Sequence, residues 1–409
     1  MKEVIVIGGG ASGLISAIYA SISGNKVTIL EKNNNLGKKI LITGNGKCNY
    51  WNKYIGLEKY NSLSKNILSR IIDNDNQKEI LLFFDKLGII PKIRDNYYYP
   101  YSGTSTSIQT ALIKECEINN VEIITNCEVT NIEKKKDIFK ISTKEKEFFT
   151  KKVILSTGSL AYPKTGSTGE GYIFAKNLGH TIIKPLPALV QLKAKAPFLK
   201  EWHGIRSDVS VSLLSNNKKL KTEIGEIQLT DYGVSGICIL NLSSIASRYW
   251  CEHKNINIEI NFLETFNIHN EKEFFSFMDK RNKKIKKRTI SDLLDGLLNY
   301  KLNNLLLKIV GIKRDNTWEN ISIEKKEQLS KYLTKFTLEI IGTKSFDNSQ
   351  TSTGGIHLSE INPHTMESLK CKNLFITGEI LDVDGDCGGY NLAFAWITGM
   401  LAGRGTHND

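Results

Sequence analysis

The stretch Val4-Ile5-Val6-Ile7-Gly8-Gly9-Gly10-Ala11-Ser12-Gly13 decides the fold. Its β-branched run reads as a strand buried on both faces. Glycines then fall at 8, 10 and 13, the G-x-G-x-x-G spacing. The first permits a tight turn, the second lets the backbone approach a pyrophosphate, and the third lets helix and strand pack closely. Ala11 and Ser12 lead into an apolar helix continued by Leu14–Ile22, whose free N-terminal N–H groups suit phosphate. Lys26–Leu30 reads as a second strand ending at Glu31, an acid placed to bind an adenosine ribose. A glycine-rich turn used only for packing would leave Glu31 unexplained. The unit expected is a dinucleotide-binding βαβ.

No second G-x-G-x-x-G follows a strand and opens a helix. Two other strand-to-glycine junctions occur, Val153–Gly158 (with Thr157) and Leu374–Glu379 (with Gly378). The second precedes Gly388-Gly389-Tyr390-Asn391 and an apolar helix, Leu392–Ala402. A cofactor touched from both ends of the chain is long, which favours FAD over a nicotinamide dinucleotide held by one unit.

The chain has 409 residues, too many for one compact core, and 7 prolines, too few for low complexity. Its 55 Lys and Arg exceed its 43 acids, a net +12, which makes an anionic partner worth seeking. Seven cysteines without a C-x-x-C pair argue against a disulfide framework or structural zinc and for a reducing compartment. Residues 1–20 are apolar, but Gly8, Gly9, Gly10 and Gly13 interrupt them and Glu3 spoils a basic leader, so no signal peptide is expected. With no long apolar run, a cytoplasmic protein without membrane attachment is expected. Residues 190–262 read as short strands, including Val209–Leu214 and Ile256–Phe262. From Glu271 to Ile341 leucines at helical spacing (Leu293, Leu294, Leu297, Leu298, Leu302) read as helix. The expected class is α/β: a discontinuous Rossmann-like FAD domain (1–190 and 342–409) with a β-rich insert (191–265) and a helical insert (266–341).

Further blocks carry a family resemblance: Gly37-Lys38-Lys39-Ile40 through Thr43-Gly44-Asn45-Gly46-Lys47-Cys48-Asn49, Tyr99-Pro100-Tyr101-Ser102, and Pro163-Lys164-Thr165-Gly166 through Gly171. Pro187–Val190, Gly233–Gly236, Thr353–Ile356, Thr365–Ser368 and Gly378–Asp386 continue it to Gly388–Leu392. In these the chain resembles the bacterial BaiN/RdsA-type, aminoacetone-oxidase-like family of FAD-dependent NAD(P)H oxidoreductases. It departs where Lys47 and Tyr97 stand in place of frequent arginines and Ile237 in place of a usual proline. Lys47 keeps the charge without the planar fork of arginine. The loss at 97 puts a substrate contact there in doubt.

The resemblance implies a two-electron reduction of a C=C bond conjugated to a carbonyl. Electrons come from NADH or NADPH; hydride reaches the electrophilic carbon and an acid protonates its neighbour. One branch acts on bile-acid enones and another makes dihydrouridine in large-subunit (23S) ribosomal RNA. It also implies cofactor contacts at Lys32, Lys39, Gly44, Asn45, Gly46, Lys47, Cys48, Val129, Asp386 and Leu392, beside the motif residues above. Cys48, in a glycine-rich cationic turn, is the candidate proton donor, by analogy with the cysteine acid of dihydrouridine-forming flavoenzymes of unrelated fold. The competing reading is a small buried cysteine beneath the cofactor.

Tyr97, Tyr98, Tyr99 and Tyr101 crowd beside Pro100. They read either as a stacking surface for a flipped base or the flavin ring, with Tyr97, Tyr99 and Tyr101 the substrate candidates, or as part core and part loop cover. Lys164 could cradle cofactor or substrate. Asp382, Asp384 and Asp386 lack the remaining ligand spacing of a calcium loop, so no metal is expected. Asp279–Arg288 holds seven cations against one acid. With Lys280, Lys283, Lys284, Lys287 and Arg288 on one helical face, it reads as a solvated helix or a phosphate-tracking surface. The leading expectation is a ribosomal RNA dihydrouridine synthase. A small-molecule ene-reductase or amine oxidase, and a non-catalytic RNA-binding flavoprotein, remain as alternatives. Oligomeric state is not legible.

Overall fold

The computed structural model describes residues 2–285 and 287–407. They form two compact units, 1–187 with 349–409, and 188–348.

In the first unit, β1 (Lys2–Ile7) runs through the glycine turn into a helix, Ala11–Ile22, and returns as β2 (Val27–Leu30). A small antiparallel sheet follows. β3 (Trp51–Asn52) pairs with the second strand of a hairpin, and β4 (Tyr60–Asn61) pairs with Asp384–Gly385. The hairpin is β5 (Pro91–Arg94) and β6 (Tyr97–Pro100), turning at Asp95 and Asn96, both at positive φ. β7 (Glu122–Ile124) rejoins the main sheet, and β8 (Val129–Lys135), β9 (Ile138–Thr143) and β10 (Glu147–Leu155) form an antiparallel meander. The main sheet is ordered β7-β2-β1-β10-β9-β8. β7, β2, β1 and β10 are parallel neighbours, and the far end of β10 pairs in parallel with Leu374–Ile376. Val4–Ile7 and Val27–Leu30 are fully buried, as continuous apolar strands in a covered parallel sheet must be. The C-terminal helix, Tyr390–Gly405, crosses the first helix so closely that a Cβ on Gly399 would lie 2.5 Å from the Ser12 carbonyl oxygen. Both expected strand-to-glycine junctions thus end side by side.

The second unit is a closed six-stranded barrel with helices around one shared core. The barrel contains Phe336–Thr343, which begins inside the span expected to be helical and runs past its end at 341. There Phe336, Leu338 and Ile340 are buried while Thr337, Glu339 and Ile341 are exposed, the period-two signature of a strand. Conversely Ile237–Cys251, expected among strands, is a helix of 15 residues. The leucine run is broken: one helix ends at Asp295, and the next begins at Tyr300. The basic segment also differs from expectation. Its helix stops at Lys284, and Lys287 has a left-handed φ of 59°, so Lys287 and Arg288 share no helical face with Lys280, Lys283 and Lys284. All five are exposed; Lys286 lies outside the described residues.

Candidate functional site

Where β1 ends, a cleft with about 1290 Å³ of space, open to solvent, runs along the carboxyl ends of the parallel strands. Gly8, at φ 99°, is pressed against the next strand: a Cβ there would lie 2.6 Å from the Ser156 carbonyl oxygen. A Cβ on Gly13 would lie 1.9 Å from the Gly8 carbonyl oxygen. Gly10 is the opposite case, with no atom beyond its own chain neighbours within 4 Å of that position. Two of the three motif glycines therefore hold the turn together, and the third keeps the cleft floor bare.

Both long helices start at this cleft. In the first, Leu14 N–H donates to the Gly10 carbonyl (3.0 Å); in the C-terminal one, Ala393 N–H donates to the Gly389 carbonyl (2.9 Å). The amides of 11–13 and 390–392 consequently have no acceptor within their helices. Ala11 and Ser12 line the cleft from one side, Asn391 and Leu392 from the other. Two helix N-termini with free N–H groups favour negative charge.

Glu31 is buried at the end of β2. One of its oxygens accepts from Gly9 N–H (2.7 Å), the other from the backbone (2.8 Å) and side-chain (2.7 Å) nitrogens of Asn33. The carboxylate thereby ties the glycine turn to the second strand. Lys32 pairs with Glu170 and donates to Thr168, each at 2.6 Å. Burial raises the Glu170 carboxyl, but the hydrogen bonds from Lys32 and Thr168 outweigh it and hold it below its usual range. Lys39 donates to Glu379 at 2.6 Å and to the Ala161 carbonyl at 3.2 Å. The second Glu379 oxygen and the Thr157 hydroxyl, both from cleft-lining residues, are buried with no hydrogen-bond partner among the described residues.

Of the residues singled out in the sequence, Gly8, Gly10, Ala11, Ser12, Glu31, Lys32, Lys39, Val129, Thr157, Gly158, Glu379, Asn391 and Leu392 line this cleft. Gly13 and Gly378 pack behind it, Gly378 against Ser12. Gly44, Asn45, Gly46 and Lys47 form a turn outside its lining, with Gly44, Asn45 and Lys47 exposed. Asp386, Gly388, Gly389 and Tyr390 lead into the C-terminal helix; Asp386 N–H donates to the Lys59 carbonyl (2.9 Å). Lys164 is exposed beside the lining residues Thr165 and Gly166. Sequence reasoning missed Asn33 and Ser167, also in the lining. The signal available for Asn33 was its place two residues past the acid.

Cys48 is a correction. It is 0% exposed, stands at φ 55° and does not line the cleft. Burial pushes its thiol up to about 12 against a weaker lowering by a hydrogen bond with Thr43. A proton donor must reach the reacting atom; this thiol is enclosed among core residues outside the cleft lining, which favours a small buried cysteine over an acid.

The tyrosines divide by strand alternation. Tyr98 packs edge-on to Tyr50, with ring centres 6.3 Å apart. Tyr97 and Tyr99 face the other way. The Tyr97 ring lies 2.7 Å from where a Gly388 Cβ would be, and the Tyr99 ring 3.5 Å from that of Gly44. Burial, then Cys387, Tyr99, Asp95 and Asp386 raise the Tyr97 phenol; burial raises Tyr99 against the lowering influence of Arg94. Both rings are half-buried, and Tyr101 is 66% exposed.

Fold and cleft define an α/β protein of the Rossmann class. The chain belongs to the HI0933-like family: the family model described as HI0933-like protein Rossmann domain matches residues 2–405. It is 36% identical over 408 residues to a 3-dehydro-bile acid delta(4,6)-reductase from Clostridium scindens, covering 99% of this chain and 98% of the relative. A ribosomal RNA dihydrouridine synthase from Haemophilus influenzae is 27% identical, covering 97% of this chain and 96% of its own. The Escherichia coli protein of the same name is 24% identical, covering 96% and 95%. Among the described residues no helix is long and apolar enough to cross a membrane, and no cluster of three or more His, Cys, Asp or Glu could hold a metal ion.

Proposed function

We propose that the protein holds FAD in this cleft and uses NADH or NADPH to reduce a C=C bond conjugated to a carbonyl, in uridine of ribosomal RNA. The observation that carries the cofactor reading is the pair of helix N-termini opening on one cleft from opposite ends of the chain. A dinucleotide long enough to touch both fits them. Its pyrophosphate belongs over the bare Gly10, its adenosine ribose at Glu31, and its polyol hydroxyls near the unpartnered Glu379 oxygen and Thr157 hydroxyl. When bound, FAD supplies the two-electron donor. The chain supplies the fixed N–H dipoles and the Lys39–Glu379 pair.

The substrate reading rests on the two relatives named for dihydrouridine synthesis, together with the exposed cationic segment around Lys283, Lys284, Lys287 and Arg288. A second reading, a steroid-like enone, is favoured by the 36% identity to the bile-acid reductase. The two share one chemistry and differ in the acceptor. Mapping dihydrouridine in ribosomal RNA with and without the gene separates them. A site lost on deletion and restored by complementation supports the RNA reading. An unchanged map, with NAD(P)H-dependent reduction of a steroid dienone by the purified protein, replaces it with the second.

A further inference from the structure

The β5–β6 hairpin carries a set of groups that neither the cleft nor the core uses. In its register Lys92 stands opposite Tyr99 and Arg94 opposite Tyr97, so these four side chains share one face. That is the face on which Tyr97 and Tyr99 meet Gly388 and Gly44. Two residues past Tyr99, Tyr101 projects into solvent with Lys92 Nζ 5.5 Å from its ring centre. On the neighbouring strand Lys53 N–H donates to the Asn96 carbonyl (2.9 Å), which brings Tyr54 to the hairpin turn, 59% exposed, with Lys53 Nζ 5.4 Å from its ring. Lys47 is exposed in the turn containing Gly44. None of Lys47, Lys53, Lys92 and Arg94 forms an ion pair among the described residues, and Asp95 at the turn is the one acid on the hairpin itself.

Exposed rings interleaved with cations that no carboxylate neutralises leave both stacking surface and positive charge available to a ligand. The rings offer flat stacking surfaces, and the cations offer phosphate contacts around them. One carboxylate on a steroid would engage one such cation; Lys92 and Arg94 side by side on one strand, with Lys47 in the turn beside Tyr99, suit a polyanion. Tyrosines on a sheet reach base faces only where bases are unstacked, which selects single strands over duplex. Arg94 also answers the departure at Tyr97: directly across the ladder, it puts a cation back on the face that lost one.

Building on the uridine reading above, we infer that this face of the hairpin is a docking platform for unpaired RNA flanking the target base. Tyr101 and Tyr54 stack on neighbouring bases, and Lys92, Arg94 and Lys47 contact the phosphates. The half-buried Tyr97 and Tyr99 form the inner edge, next to Gly388 and Gly44.

The test uses the flavin-loaded protein and a fluorescently labelled single-stranded oligoribonucleotide containing uridines, titrated by anisotropy at several salt concentrations. A duplex of equal length serves as the control. The platform predicts tighter binding of the single strand and a salt-dependent affinity. Tyr101→Ala should weaken binding about tenfold. The pair Lys92→Gln and Arg94→Gln should weaken it at least as much and lower the slope of log affinity against log salt by about one for each phosphate no longer neutralised. Flavin absorbance and melting temperature report folding, and Tyr101→Phe should restore binding. Variants that bind like the parent overturn the platform. So does a parent that binds no single strand, or one that prefers the duplex. The uridine reading stands or falls separately, on the dihydrouridine map.

Discussion

Gly10→Ala and Gly13→Ala add the same methyl group three residues apart, and the structure separates their consequences. At Gly13 the new Cβ would sit 1.9 Å from a backbone oxygen, that of Gly8, so the turn itself must move. Overpacking of this kind costs about 1–3 kcal/mol and disturbs the whole loop. At Gly10 the new Cβ meets nothing within 4 Å, and the residue's φ of −80° and ψ of −167° are ordinary for alanine. The apoprotein should therefore melt within roughly 1 °C of the parent, since a surface change without strain stays within about 0.5 kcal/mol. The methyl does, however, take up space where a pyrophosphate must approach the backbone. Holding the phosphates off by about a methyl radius loses one charge-assisted hydrogen bond, about 1.5–3 kcal/mol, or tenfold to over a hundredfold in affinity. The assay is titration of deflavinated protein with FAD by flavin fluorescence, beside melting curves of the apoproteins. Gly10→Ala binding FAD as tightly as the parent would refute the pyrophosphate assignment, whatever the stability of Gly13→Ala.

Cys48→Ala should keep bound FAD and turnover within about twofold, with a melting loss from about 1 kcal/mol of lost packing; an abolished turnover in a flavin-loaded variant would reinstate the thiol as the acid. Stability should fall on acidification below about pH 6.5 because of His180. Its Nδ1 meets Glu360 at 2.9 Å and its Nε2 the Ser368 hydroxyl at 2.8 Å, and burial, only partly offset by Glu360, lowers its affinity for a proton in the folded chain. The unfolded chain thus binds the proton more readily between the two values, and stability rises with pH there. Melting temperature against pH checks this, and His180→Gln should flatten the slope. Replacing Lys283, Lys284, Lys287 and Arg288 with glutamine should reduce RNA affinity and its salt slope while leaving flavin content intact. Unaltered binding would make the segment a solvated surface.

The cofactor side of this protein was legible because its constraints are local. A buried β-branched strand, three spaced glycines and an acid at the end of the next strand constrain one another over some thirty residues, and the turn closes on Gly8, Gly13 and Glu31 where the spacing put them. Cys48 was misread because its neighbours advertise chemistry while its backbone decides its direction. Successive left-handed residues at Gly44 and Asn45 and a positive φ at Cys48 itself turn the thiol inward, and no composition signal reports φ. The closing barrel strand failed differently. Phe336, Leu338 and Ile340 did carry period two, but eight residues with that pattern follow directly on the helix Ile323–Thr334, and a window long enough to see the helix absorbs the strand. The hairpin platform combines both difficulties. Lys92, Arg94, Tyr97 and Tyr99 are scattered singly in the sequence and become a set only through antiparallel register, which pairs residues whose separation ranges from three to seven. A turn one residue longer would slip that register and send Lys92 and Arg94 to the opposite face from the tyrosines. Inserting one glycine between Asp95 and Asn96 is thus a register test that keeps every side chain. If the platform acts through its shared face, that insertion weakens single-strand binding as much as Lys92→Gln with Arg94→Gln does, while the Gly10-lined cleft still takes up FAD.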